Sequence, residues 1–136
     1  MSVGQVFERD GVAEDGTQPA ALVAPRQSIT VPSGAAWALR LHVRSQNGAP
    51  FDATAKTFAL YVARAAGHEV VLTKTVAPGA LGKNDRVELQ VLAADTDWLG
   101  SGTYIYEVWV YPTGTPSQRV RVVAASQLRL EPSVSP

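Results

Sequence analysis

The stretch Trp37-Ala-Leu-Arg-Leu-His-Val-Arg44 alternates large apolar residues with small or polar ones over eight positions. A period of two belongs to a β-strand with one buried face, because successive side chains leave a strand in opposite directions. Trp37, Leu39, Leu41 and Val43 form the inward set, and Ala38, Arg40, His42 and Arg44 the outward one.

Outward from this strand the rhythm recurs. Phe58, Leu60 and Val62 alternate with Ala59, Tyr61 and Ala63, and Ala65-Ala-Gly-His68 joins that run to residues 70–76 as a hairpin. Val87, Leu89 and Val91 alternate with Glu88 and Gln90, and a short run at residues 29–31 is closed by Pro32-Ser-Gly34. Residues 103–111 put Tyr104, Tyr106, Val108 and Val110 on one face and Ile105, Glu107, Trp109 and Tyr111 on the other. In residues 119–130 the alternation shifts before resuming at Leu128 and Leu130, which predicts a bulge or sheet switch near Ala124-Ala125. Ala93-Ala-Asp-Thr-Asp-Trp-Leu99 suits a single helical turn capped by Asp95, with Trp98 and Leu99 plugging one end of the fold. Seven short runs set off by Gly, Pro and Asn predict an all-β, immunoglobulin-like antiparallel β-sandwich of about seven strands over residues 28–136.

Residues 1–27 show neither period and are rich in Gly and Ala, so they are expected to form an extended N-terminal arm. Its isolated apolar residues, Val3, Val6, Phe7, Leu22 and Val23, are candidate anchors on another subunit.

Composition narrows the function. Twelve basic and twelve acidic side chains in 136 residues leave no net charge, which argues against nucleic acid or a membrane surface as partner, since both select a basic protein. The absence of Cys excludes disulfides, thiolate nucleophiles and zinc-thiolate sites. No run reaches the roughly 20 apolar residues of a membrane span, and the N-terminus lacks the basic-then-apolar order of a signal peptide, so synthesis in the cytosol is expected.

Catalytic groups are sparse. His42 falls on a polar strand face and His68 in a hairpin loop, where solvated imidazoles are the simpler expectation. Asp95 and Asp97 are the closest carboxylate pair, but the Gly and distal Glu of a calcium loop are missing. Gly79-Ala-Leu-Gly-Lys83 has the wrong spacing for a phosphate loop, and no Ser lies in a nucleophile elbow. Neither an enzyme nor a cofactor or metal site is expected. More informative is the outward face shared by the third, sixth and seventh runs, which carries Tyr61, Ile105, Trp109 and Tyr111, with Glu107 and Arg121 placed to pair across it. Aromatics on a contiguous sheet surface mark a contact site, unless the arm or the C-terminal tail of the same chain covers them.

Several of these segments together resemble a phage structural module. They are Trp37-Ala-Leu-Arg-Leu-His-Val-Arg44, Gly48-Ala-Pro-Phe-Asp52, Phe58-Ala-Leu-Tyr-Val62, Arg86-Val-Glu-Leu-Gln-Val-Leu-Ala93, Asp95-Thr-Asp-Trp-Leu99, Gly102-Thr-Tyr-Ile-Tyr-Glu-Val-Trp-Val110 and Gln127-Leu-Arg-Leu-Glu-Pro-Ser-Val134. Residues 29–134 resemble the immunoglobulin-like domain at the amino terminus of phage baseplate upper proteins and in related small tail proteins. The resemblance implies a non-enzymatic virion protein of the tail, neck or baseplate, or a capsid decoration. Such a protein is made in the host cytoplasm and is homo-oligomeric or multi-copy in a symmetric assembly with other virion proteins as partners. The chain stops soon after the last strand, so an accessory attached to a larger structure is expected rather than a receptor-binding protein. The alternative is a secreted or surface carbohydrate-binding or adhesion module, since sandwiches often bind glycans through aromatic side chains.

Overall fold

The computed structural model of the chain describes residues 5–12, 28–44, 55–65, 67–77 and 86–132. Within them eight strands form two sheets around one core. Strands β1 (Gln5–Val12), β3 (Trp37–Arg44) and β6 (Arg86–Val91) make a small sheet in the order β1-β3-β6. Strands β2 (Ile29–Pro32), β8 (Val120–Glu131), β7 (Gly102–Pro112), β4 (Lys56–Ala63) and β5 (Val70–Val76) make the large one in the order β2-β8-β7-β4-β5. Helix α1 (Ala93–Leu99) connects β6 to β7, and a 3-10 turn at Pro116–Gln118 precedes β8.

The inward sets are those the alternation predicts. Trp37, Leu39, Leu41 and Val43 of β3 are buried against Phe58, Leu60 and Val62 of β4 and Tyr104, Tyr106, Val108 and Val110 of β7. Removing such side chains from water is the main term holding the two sheets together, at about 1.5–3 kcal/mol for each large one.

Among the described residues the seven strands expected over residues 28–136 are present as β2–β8, and an eighth, β1, lies in the stretch expected to be an arm. Its period of two is hidden in the sequence because the inward positions Phe7, Arg9 and Gly11 include only one large apolar residue. Two pairings are parallel, β1 with β3 and β2 with β8, and the others are antiparallel. Trp98 does not plug the end of the sandwich: Leu99 is buried there, but Trp98 is 68% exposed. In a helix this short, two adjacent residues cannot both face the core.

Helix α1 ties one end of the sandwich together. The Leu92 N–H donates to Asp95 Oδ2 at 2.9 Å, and Lys74 Nζ of β5 lies 2.9 Å from the same oxygen. The buried Thr96 hydroxyl donates to the Ala35 carbonyl at 2.9 Å and accepts from the Gly34 N–H at 3.0 Å, which fastens the helix to the β2–β3 turn. That turn requires glycine, since Gly34 has φ +85°. At the start of β7 the Tyr104 hydroxyl donates back to the Leu99 carbonyl, with the Gly100 carbonyl 3.1 Å away.

Strand β8 carries two extra residues. Tyr106 faces Ser126 and Val108 faces Val123, so Glu107 alone spans Ala124 and Ala125; Trp109 then faces Arg121, which leaves Val122 without a counterpart. The first bulge falls where the broken alternation predicts it. Beside it the buried Tyr106 hydroxyl hydrogen-bonds Ser126, whose own hydroxyl donates to the Ala124 carbonyl at 2.8 Å. Burial pushes the Tyr106 phenol up to about 12, against smaller opposing effects of Arg9 and Ser126.

Two outcomes are expected. Tyr104→Phe removes the bonds to the α1–β7 corner at about 1–2 kcal/mol, so melting temperature should fall by roughly 3–8 °C. Because the Tyr106 pKa is raised on folding, its contribution to stability is full below about pH 10 and is lost as pH rises toward about 12. Alkaline titrations of stability should therefore be shallower in Tyr106→Phe than in the parent chain.

Candidate functional site

The outer faces of the two sheets have opposite chemistry. On the small sheet the cross-strand rows read Glu8, Arg40, Glu88 and Asp10, His42, Arg86. Arg40 Nε lies 2.7 Å from Glu88 Oε1, Gln90 Nε2 donates to Glu88 Oε2 at 2.9 Å, and His42 Nδ1 is 4.0 Å from Asp10 Oδ1. Gln90 and then Arg40 hold the Glu88 carboxyl below its ordinary range. Charges that satisfy one another along strand rows make a solvated face. Among the described residues no three His, Asp or Glu side chains gather as a metal site, and Asp95 is engaged with Lys74 and Leu92. Burial works against the ionised Asp95, but the Lys74 ammonium and the Leu92 N–H outweigh it and hold its pKa below the ordinary value.

The outer face of the large sheet is aromatic. Strands β4, β7 and β8 are neighbours, which brings Tyr61, Ile105, Trp109 and Tyr111 onto one surface, all of them half-buried. Tyr61 is the register partner of Glu107, Ala59 of Trp109, Ala63 of Ile105 and Thr57 of Tyr111. Ala59 faces outward yet is fully buried, which shows how closely the larger side chains cover it.

A polar network holds the Trp109 ring in place. Glu107 accepts from Arg121 Nη1 at 3.0 Å through one oxygen and from Trp109 Nε1 at 3.3 Å through the other. The Arg119 guanidinium lies over the Trp109 ring, 4.5 Å from its centroid, and 5.7 Å from that of Tyr61. Without its two extra residues β8 would set Val123 opposite Trp109. The bulges instead draw Arg121 to that position, within reach of Glu107. The Glu107–Arg121 pair is legible in the sequence. The Arg119 stack is not, because the 3-10 turn that aims it leaves no periodic signal.

The other candidates separate. Phe7 points inward from β1 and packs edge-on against Trp37, with centroids 6.0 Å apart and planes at 79°, so its ring is used inside its own chain. Val6 is on the outer side of β1 at 37% exposure. Val3, Leu22 and Val23 lie outside the described residues, as does the Gly79–Lys83 loop. Strand β1 joins the small sheet, so this part of the N-terminal segment does not lie over the aromatic face.

No protein-family model matches the chain, and no curated protein matches it. Among solved structures it is similar to the N-terminal domain of phage TP901-1 ORF48, with a TM-score of 0.57 and 11% identity over 93% of this chain and 98% of that one. At that identity the likeness is one of fold.

The placement of Trp109 separates contact from core. Trp109→Ala is expected to lower the melting temperature by only a few degrees. Val108→Ala, one residue earlier on the buried face, should cost about 2 kcal/mol or more, and thermal unfolding of both variants checks the contrast.

Proposed function

We propose that this protein is a non-enzymatic structural component of a phage virion that binds neighbouring virion subunits through the outer face of its large sheet and through its N-terminal segment. The observation that carries this reading is the fold shared with a phage domain over nearly the whole length of both chains. The chemistry of the face supports it. Tyr, Trp and Arg are the residue types that dominate binding energy at protein interfaces. Here Trp109 and Arg121 are held by Glu107 before any partner arrives, which reduces the side-chain ordering lost on association. We read the sandwich as immunoglobulin-like, because the Tyr104 hydroxyl bonds back to the chain before β7 as a tyrosine corner does, and because β2 pairs with the last strand. As a carbohydrate-binding module the face is a poorer fit, since Arg119 already lies over the Trp109 ring on which a sugar would stack.

Edge-to-edge pairing is a poor alternative route to assembly. The small sheet ends in β1, with Glu8, Arg9 and Asp10 in succession, and in the six-residue β6, with Arg86 and Glu88; the large one ends in β5, with Lys74, and in the four-residue β2, with Pro32. Charges, proline and short length are the features that blunt a sheet edge. The sheet face and the N-terminal segment are left as the contact surfaces of a multi-copy component.

The test is co-sedimentation of the purified protein with particles of the phage that encodes it. The parent chain is expected to join at a fixed stoichiometry, and Trp109→Ala to lose at least about tenfold in affinity while remaining folded, as a central interface residue does. A parent chain that stays in the supernatant at all concentrations overturns the proposal.

A further inference from the structure

Strand β1 is, with β5, one of two edge strands among the described residues that contribute no residue to the buried core cluster. It is an edge strand whose sheet partner is β3 alone. The buried core cluster contains no residue of β1, and Phe7 packs on it only from outside. The core and seven of the eight strands are therefore complete within residues 28–132, with the edge of β3 prepared to receive a strand.

The seat for that strand is nevertheless specific. Residues Gln5–Val12 run parallel to Trp37–Arg44 in unbroken register. Phe7 meets Trp37 edge-on, Asp10 approaches His42, and Arg9 Nη2 donates to the Ser28 carbonyl at 3.3 Å. Gly11 lies so close to the bulge of β8 that a Cβ there would stand 3.0 Å from the Val122 carbonyl oxygen. Each feature belongs to this sequence on both sides of the contact, so the partner that offers the same seat is a second copy of this chain.

Chain length allows the exchange. Fifteen residues separate Val12 from Ser28, and a chain of that length reaches about 50 Å when extended. A domain of this size has a radius of gyration of only about 14 Å. Exchanging an identical element between copies leaves its contacts unchanged, so it carries little energetic penalty and responds to local concentration.

We propose that β1 is an exchangeable strand, which leaves its own β3 and adds in the same parallel register to β3 of a second copy. The proposal deepens the reading of a multi-copy virion component by naming the partner of the N-terminal segment.

The chain has no cysteine, so introduced thiols report the pairing directly. Glu8 and Arg40 are register partners, and adjacent strands about 4.8 Å apart fall within the Cα separation of about 4.4–6.8 Å that a disulfide spans. Full-length Glu8→Cys protein mixed with Arg40→Cys protein can cross-link at this pair only between copies. A heterodimer is expected, with a yield that rises with concentration, and none from Glu8→Cys mixed with Arg44→Cys. Adding Gly11→Val to the Glu8→Cys chain should lower the yield about tenfold, because the new side chain meets the Val122 carbonyl. The double variant Glu8→Cys/Arg40→Cys should close within one chain, stay monomeric and fail to join particles.

Closure of the double variant within its chain, without any heterodimer from the mixed single variants in solution or in particles, overturns the exchange. So does a locked chain that joins particles at the parent stoichiometry, and that result leaves the virion role standing. A heterodimer from chains that never join particles supports the exchange and removes the virion role.

Discussion

In the β7–β8 pair, the last strand spends two more residues than its neighbour over the same length, and those residues set the positions of groups on the outer face and across the sandwich. Inside, Ser126 closes the regular register beside the first bulge and meets the Tyr106 hydroxyl, giving a buried phenol a partner where an unpaired one would be costly. Outside, the combined shift moves Arg121 beside Glu107, which in turn holds Trp109. Across the sandwich, the unmatched Val122 turns its carbonyl toward β1, where a Cβ at Gly11 would stand 3.0 Å from it. The aromatic surface and the seat of the N-terminal strand thus share one irregularity, consistent with bulges acting as positioned features of a sheet.

The same geometry accounts for the division of labour between the two outer faces. The small sheet presents rows of opposite charges that neutralise one another, so its outer surface gains little from leaving water. The large sheet presents the Trp109 ring with its N–H already engaged by Glu107 and the Arg119 guanidinium over its face. In the proposed reading, that ring can be buried against a partner without stranding its donor. In the proposed reading, charged or short edge strands disfavour edge pairing, and assembly falls to a face and to a strand held mainly by one neighbour.

Much of this was legible in the sequence because burial on one face of a strand writes a period of two directly into the residues. The strands at residues 37–44, 58–62, 87–91 and 103–111 follow that rule, and so does the break near Ala124-Ala125. The aromatic face was legible for the same reason: once Tyr104 and Tyr106 are inward, Ile105, Glu107, Trp109 and Tyr111 must be outward. Strand β1 was not legible. Its inward positions hold an arginine that reaches a backbone carbonyl and a glycine that fits beneath another, and neither residue registers as apolar. Trp98 misled in the opposite sense, being apolar and yet on the solvent side of α1.

By itself, then, the sequence determined the all-β class, the inward and outward sets of each regular strand, and the surface on which the aromatics collect. These depend on local alternation and on the free energy of removing apolar side chains from water. Tertiary structure alone decided that β1 enters the small sheet parallel to β3, that Arg119 lies over Trp109, and that Tyr104 closes the corner after α1. Each of these joins residues through hydrogen bonds or ring contacts that have no period along the chain, so they become visible only when the two sheets are packed together.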